Sequence, residues 1–255
     1  MKVFIITGGN GGIGLGLAEG IAEAGGAVAI WARNEEKNTD AVRALQDIGG
    51  EAKSYICDVS NEEDVIRTLS STVKDFGRVD GLFANAGRGG TGTPFVDTSL
   101  EEWRKVMAVN LDGVFLCLRE ASRQLISQGS GGSLVAVSST SAIHGAAGNE
   151  AYGTAKTAVT GLVRALAVGL ARFQIRVNCL LPGWTVTELA SPAFENDHFR
   201  EVTTKRTPAR RWADPKEFRQ VGAFLADPSQ TFHTCLLYTS PSPRDATLSR
   251  MPSSA

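Results

Sequence analysis

Short apolar, β-branched runs alternate along the chain with longer stretches that carry one apolar face. The first run is Val3-Phe4-Ile5-Ile6, and a glycine-rich stretch over 8–14 follows it. Residues 15–24 read as a helix that Gly25-Gly26 ends, because glycine tolerates the left-handed conformation at a helix C-terminus. A second strand is expected at 28–31, a polar helix over 35–48, a third strand at 54–57 and an amphipathic helix over 62–76. The pattern then predicts a strand at 81–84, one long helix or two over 100–127, a strand at 133–137, a helix over 151–173, a strand at 175–180 and a last helix over 215–226. Strands alternating with helices build βαβ units, and right-handed crossovers wind these into a parallel sheet covered on both faces. The expected fold class is α/β, a single doubly wound parallel β-sheet domain with helices on both faces, over residues 1–234.

The 255 residues are 42% hydrophobic and 21% charged, which suits one soluble domain with a sizeable core. A net charge of −1 offers little to nucleic acid or an anionic membrane, so neither is expected as a partner. No apolar run reaches the roughly 18 residues of a membrane span, and the start of the chain is too short for a signal peptide. Cys57, Cys117, Cys179 and Cys235 are far apart with no CxxC, which points to buried free thiols in the cytoplasm. His144, His198 and His233 are scattered, and no metal site is expected.

Thr7-Gly8-Gly9-Asn10-Gly11-Gly12-Ile13-Gly14 joins the first strand to the first helix. Glycines there allow a tight turn, and the helix N-terminus attracts a pyrophosphate, so the loop reads as the dinucleotide site of a Rossmann fold. Its spacing satisfies both TGxxxGxG and TGxxGxxG. The second strand ends Ala32-Arg33-Asn34, where an acid would bind the ribose hydroxyls and repel a 2′-phosphate. Arg33 can instead clamp that phosphate, which favours NADP(H) over NAD(H).

Tyr152 and Lys156 are related as i and i+4, which puts them on one helix face. An adjacent ammonium favours the phenolate and brings the phenol nearer the range of a useful acid/base. Ser139 stands upstream at the end of an apolar run. Alone, YxxxK carries little; its order among the other motifs carries more.

In that order the chain closely resembles the short-chain dehydrogenase/reductase family from Val3 to about Thr234. Residues 7–14 resemble the family's cofactor loop, and Cys57-Asp58-Val59 the segment whose acid meets the adenine. Asn85-Ala86-Gly87 resembles its NAG turn, here after Ala84 rather than the commoner Asn. Asn110, Ser139, Tyr152 and Lys156 match its catalytic residues, and Pro182-Gly183 with Thr187 the segment that holds the nicotinamide. The spacing of Asn110, Ser139 and Pro182-Gly183 selects the TGxxxGxG type.

The resemblance implies hydride transfer between nicotinamide C4 and a carbonyl or secondary alcohol. Tyr152 would be the general acid/base, Lys156 would lower its pKa and hold the ribose, Ser139 would bind the carbonyl oxygen, and Asn110 would bind a water leading to Lys156. Ser141 and Trp184 are expected to join Ser139 and Tyr152 in lining the substrate pocket, with His144, Asn149 and the loop 88–94 as further walls. Residues 187–211 would form a lid, whose Arg200, Lys205, Arg206, Arg210 and Arg211 read as a solvated basic face. A polyol, a hydroxy acid and a 3-oxoacyl thioester all stay open as substrates. The helix over 151–173 is apolar on more than one face, which predicts a homo-tetramer or dimer. Beyond Thr234 the resemblance breaks into a Ser-, Thr- and Pro-rich segment that resembles translated sequencing-adapter sequence. The reading there is a disordered or artefactual tail over 235–255, with the last strand missing or altered. The alternatives are an inactive truncated protein that still binds cofactor and, less favoured, a dehydratase or epimerase.

Overall fold

The computed structural model describes residues 1–239. Its strands are β1 Val3–Thr7, β2 Ala27–Ala32, β3 Ala52–Ile56, β4 Gly81–Ala84, β5 Gly132–Val137, β6 Ile175–Leu181 and β7 Leu237–Thr239. Its α-helices are α1 Gly12–Glu23, α2 Glu35–Asp47, α3 Glu62–Phe76, α4 Leu100–Met107, α5 Gly113–Gln128, α6 Ser141–His144, α7 Glu150–Leu170, α8 Ser191–Glu195, α9 Asp197–Arg206 and α10 Arg219–Ala226. All strand pairs are parallel, in the order β3-β2-β1-β4-β5-β6-β7.

Strand side chains alternate between faces. Phe4, Ile6, Val28 and Ile30 share one core with Leu17 and Ile21 of α1, Leu45 of α2 and Leu225 of α10. Ile5, Ala29, Leu82 and Leu134 share the other with Val65 of α3, Leu118 of α5, and Val159 and Val163 of α7. Covered on both faces, β1 and β2 are buried throughout, which is why they read as continuous apolar runs; β6 is buried throughout as well, although it carries Arg176 and Asn178. The chain winds outward from β1 to β3, then returns to β4 on the other side of β1. The reversal opens a crevice at the carboxyl ends of β1 and β4, where ligands of such sheets bind.

Local chemistry sets the helix ends. Asn61 caps α3 by accepting from the Asp64 N–H, three acids fill its first turn, and Gly77 ends it at φ 76°. The stretch 100–127 resolves into α4 and α5 around a π-helical turn, Ala108–Asp112, which carries Asn110. Helix α1 packs closely on the last helical segment. A Cβ at Gly16 would lie 2.0 Å from the Pro215 carbonyl oxygen, and one at Gly20 would lie 1.9 Å from that of Arg219.

Three expectations are corrected. First, a strand does form beyond Thr234: β7 pairs with β6 through Cys179–Leu237, Leu180–Tyr238 and Leu181–Thr239. The mean composition of 235–255 concealed the local run Leu236-Leu237-Tyr238, and the open β6 edge offers it backbone partners. The rest of the tail reading, residues 240–255, lies outside the described residues. Second, Glu150–Phe173 is long and apolar enough to cross a membrane, although no such stretch was expected. Its Val159, Val163 and Ala167 are core residues against the sheet, so the fold accounts for its apolar character. Third, Cys57, Cys117 and Cys179 are buried free thiols, but Cys235 is exposed.

Candidate active site and cofactor crevice

The glycine loop leaves β1 with Gly8 at φ +62° and passes Gly12 at φ +50°, conformations that glycine adopts without strain. A Cβ at Gly11 would meet nothing within 4 Å, so the loop is open on that side. Gly11 is also the N-cap of α1, which has no side-chain cap and no acid in its first turn. The first-turn N–H groups and the helix dipole therefore face open space, which fits the diphosphate of a dinucleotide. Ile13 is half-buried beside the core of the α1 face. At Gly14 a Cβ would lie 2.3 Å from the Gly8 carbonyl oxygen, so the turn requires a bare Cα there.

Several side chains predicted to meet the cofactor also build the crevice. The Thr7 hydroxyl accepts from the N–H groups of Asn85 (3.0 Å) and Ala86 (2.9 Å). Asn85 Nδ2 donates back to the carbonyls of Thr7 (3.0 Å) and Gly8 (3.2 Å). These bonds lock the turn after β4 to the glycine loop. Asn10 donates to Asn38 at 2.8 Å, and Asn38 donates to the Ala32 carbonyl, pinning the loop to the end of β2. Asn34 caps α2 by accepting from the Lys37 N–H. Val59 is buried against Gly113.

Arg33 is exposed at the end of β2. The Asp58 carboxylate accepts from the Ser60 N–H (3.0 Å) and hydroxyl (2.6 Å). Partial burial pushes that carboxyl up, but the Ser60 bonds and the Arg33 charge outweigh it and hold it below the ordinary carboxylate value.

At the other end of the crevice, Ser139, Tyr152 and Lys156 come together. Ser139 stands beside the Tyr152 phenol, close enough to favour its ionised form. The Ser139 hydroxyl oxygen accepts from the Ser141 N–H at 3.1 Å, which is how Ser141 enters the site. Lys156 is 3% exposed, and its Nζ donates to the Val137 carbonyl at 2.8 Å. The ammonium stands 5.5 Å from the Tyr152 ring centroid. Ser138 donates to the Lys156 carbonyl at 2.7 Å, fastening α7 to the end of β5. Gly87 completes the wall, for a Cβ there would lie 2.9 Å from Asn110 Oδ1 and 3.6 Å from Lys156 Nζ.

The expected lowering of the Tyr152 pKa by Lys156 is corrected. Burial raises the phenol above its ordinary value, and Ser139 offsets only part of that. Burial also pushes Lys156 down to about 8, because a desolvated ammonium loses hydration that one carbonyl does not replace. The side chain of Asn110 is tied to the backbone. Its amide donates to the carbonyls of Arg88 (2.8 Å) and Val106 (2.9 Å), and its oxygen accepts from the Arg88 N–H (3.2 Å). Both amide protons are committed to the backbone, so the side chain clamps the loop after Gly87 to the π turn.

The Pro182 carbonyl accepts from the Thr140 N–H at 3.1 Å, and the Gly183 carbonyl accepts from the Thr185 hydroxyl at 3.2 Å. Thr187 caps the turn that opens the lid, and its Cγ2 lies 3.1 Å from where a Cβ on Gly12 would stand. The lid therefore rests on the cofactor loop. Trp184, expected in the pocket wall, stacks on Trp212 (4.8 Å) and meets Phe199 edge-on (5.0 Å), as part of an aromatic cluster that holds the lid together. The lid's basic residues are largely compensated: Arg200 pairs with Asp197, Lys205 with Glu201 and Arg211 with Glu217.

Sequence reasoning missed the Arg88 guanidinium, which pairs with Glu102 at 2.8 Å, and the job of Asn149, whose Oδ1 accepts from the Gly90 N–H at 2.9 Å. The one available signal was a glycine-rich stretch directly after a motif turn.

Residues 8–236 match the family described as "Enoyl-(Acyl carrier protein) reductase". Among similar proteins, 2,5-dichloro-2,5-cyclohexadiene-1,4-diol dehydrogenase of Sphingobium indicum is 35% identical, over 91% of this chain and 92% of its own. Cis-4-hydroxycyclohexanecarboxylate dehydrogenase of Sinomonas cyclohexanicum is 36% identical, over 91% of both chains. The crystal structure of NADPH-dependent 3-quinuclidinone reductase from Rhodotorula rubra superposes with a TM-score of 0.84 at 36% identity, over 93% of this chain and 89% of that one. With a crevice built for a dinucleotide and a serine–tyrosine pair backed by a buried lysine, this chain belongs to the short-chain dehydrogenase/reductase family, nicotinamide-dependent oxidoreductases of carbonyl and secondary-alcohol groups.

Proposed function

We propose that the protein interconverts a ketone and a secondary alcohol on a compact ring, with NADP(H) favoured over NAD(H). The single observation that carries the chemistry is Ser139 set beside the Tyr152 phenol, with Lys156 buried behind the ring. The ring-bearing names of the two curated relatives support the substrate class. The nicotinamide supplies or accepts the hydride when bound. Tyr152 holds a proton at its phenol oxygen, gives it to the forming alkoxide and retrieves it in the reverse direction. Its raised pKa keeps that proton in place before reaction. Ser139 donates to the substrate oxygen, where charge grows in the transition state. Lys156 supplies positive charge behind the ring, and Asn110 and Asn85 act as positioning residues.

Gly8, Asn10, Gly12, Ile13 and Gly14 would form the diphosphate cradle, in which Thr7 braces the turn. Arg33 and Asn34 would meet the ribose, with Asp58 and Val59 at the adenine. Ala86, Gly87, Pro182, Gly183 and Thr187 would border the nicotinamide. The preference for NADP(H) rests on Arg33, exposed where a competing acid would stand; the NADPH-dependent neighbour also supports it. Residues 1–234 form the catalytic unit, and Ser141 and Trp184 lie toward its substrate side. A cytoplasmic homo-oligomer is the expected working form, supported by exposed apolar side chains such as Val168 on α7 and Phe115 on α5.

The test is oxidation of NADPH and NADH against cyclohexanone, 4-oxocyclohexanecarboxylate, ketoses and 3-oxoacyl thioesters. Tyr152→Phe should lower turnover about 10²–10⁴-fold. A variant as active as the wild type would refute the acid/base assignment, and turnover of only acyclic substrates would refute the ring.

A further inference from the structure

Asn149 occupies the N-cap of α7, the helix that carries Tyr152 and Lys156. Asparagine at that position ordinarily accepts a hydrogen bond from its own helix, a bond worth about 1 kcal/mol. Here it makes none. Its side chain reaches out of the helix instead and accepts from the Gly90 N–H at 2.9 Å. The partner offers only an N–H, so the facing atom is the amide oxygen. The catalytic helix thus forgoes its own cap to hold a loop from the far side of β4.

That loop is built for the contact. A Cβ at Gly90 would lie 2.8 Å from Asn149 Oδ1, closer than a side chain tolerates. A Cβ at Gly89 would stand 3.7 Å from Leu189 Cδ1 and 3.9 Å from Asn149 Nδ2, so helix, loop and lid meet at this point. Two residues earlier the same loop is held at Arg88, by Asn110 on its backbone and by Glu102 on its guanidinium. Immediately before Arg88 stands Gly87, which lies over Asn110 and Lys156. With Arg88 anchored, Asn149 fixes the other end of the wall nearest the reacting groups.

We infer that Asn149 is a positioning residue for the substrate wall: it gives up capping α7 in order to hold Gly90, and so sets the size of substrate admitted beside Tyr152. The inference rests on the active-site reading above. It predicts loss of substrate affinity rather than of chemistry, because no catalytic atom is touched.

The experiment compares Asn149→Ser, Asn149→Asp, Gly90→Ala and the double variant Asn149→Ser/Gly90→Ala. The assay is steady-state kinetics on the best ketone of the panel, with saturating NADPH and a thermal melt of each protein. Serine can cap the helix but is too short to reach Gly90, so KM should rise about three- to tenfold with kcat nearly unchanged and the melt preserved. Aspartate keeps the acceptor and should stay within about twofold of wild type, since a carboxylate accepts an N–H as an amide oxygen does. Gly90→Ala breaks the same contact from the loop side, and its effect should not add to that of Asn149→Ser. Wild-type KM in Asn149→Ser, an aspartate variant as poor as the serine one, or additive effects in the double variant would each overturn the inference. Tyr152→Phe in the same assay reports separately on the active-site reading, since its failure leaves kcat intact.

Discussion

Lys156→Met removes a buried charge while nearly preserving side-chain length, and the structure sets both the size and the pH dependence of the effect. Burial takes the lysine from 10.5 to about 8. At pH 7 both folded and unfolded chains carry the proton, so the penalty for desolvating the ammonium is fully present, at about 3 kcal/mol. Between pH 8 and 10.5 the folded protein releases a proton that the unfolded chain keeps, and the penalty fades to about 1 kcal/mol by pH 10. Methionine escapes this penalty but loses the bond from Nζ to the Val137 carbonyl, at a cost of about 1 kcal/mol that does not vary with pH. Urea denaturation of both proteins should therefore find the methionine variant more stable at pH 7, with its advantage shrinking by about 2 kcal/mol at pH 10. The tyrosines and the other cysteines that titrate there are common to both proteins and cancel in the difference, whereas Cys179, whose thiol burial pushes up to about 12 against the pull of the Lys156 charge, stays protonated in both at pH 10. The variant should be nearly inactive at either pH. An advantage that stays constant or grows with pH would refute a desolvated, charged Lys156.

Gly20→Ala would drive a Cβ to 1.9 Å from the Arg219 carbonyl oxygen and force α1 away from α10. A loss of about 1–3 kcal/mol is expected, read as a lower melting temperature together with weaker NADPH binding by fluorescence titration. Arg33→Glu should raise the KM for NADPH about 10- to 100-fold and spare NADH; equal losses for both coenzymes would remove Arg33 from the 2′-phosphate. Cys235 holds φ 62°, a left-handed conformation that costs an L-residue about 1–2 kcal/mol. Cys235→Gly should therefore raise the melting temperature by about 2–4 °C, and no gain in a differential scan would show that β7 docks without that strain.

Periodicity was enough for the sheet, because strands buried on both faces leave unbroken apolar runs such as residues 3–6. Residue types with narrow uses were equally legible: glycines at a strand-to-helix turn, a tyrosine and lysine one helical turn apart, and a basic residue where an acid would stand. Averages misled where a short segment differed from its surroundings. The Leu236-Leu237-Tyr238 run was lost in a Ser- and Pro-rich tail, yet it adds the seventh strand. Roles that depend on where a side chain spends its hydrogen bonds were not legible either. Thr7, Asn34 and Asn110 carry the expected identities, but their polar atoms serve the backbone.

From the sequence alone came the class of fold, the order of its elements, and the proposed cofactor loop and reacting groups. These depend on local periodicity and on spacing within one element, which the chain carries in one dimension. The tertiary structure decided the rest. It brought Gly90 to Asn149, set Gly87 over Lys156, and withdrew Tyr152 and Lys156 from water far enough to move both pKa values against the simple pairwise expectation. Desolvation and long-range hydrogen bonding arise only when distant segments close on one another, and spacing along the chain does not encode that closure.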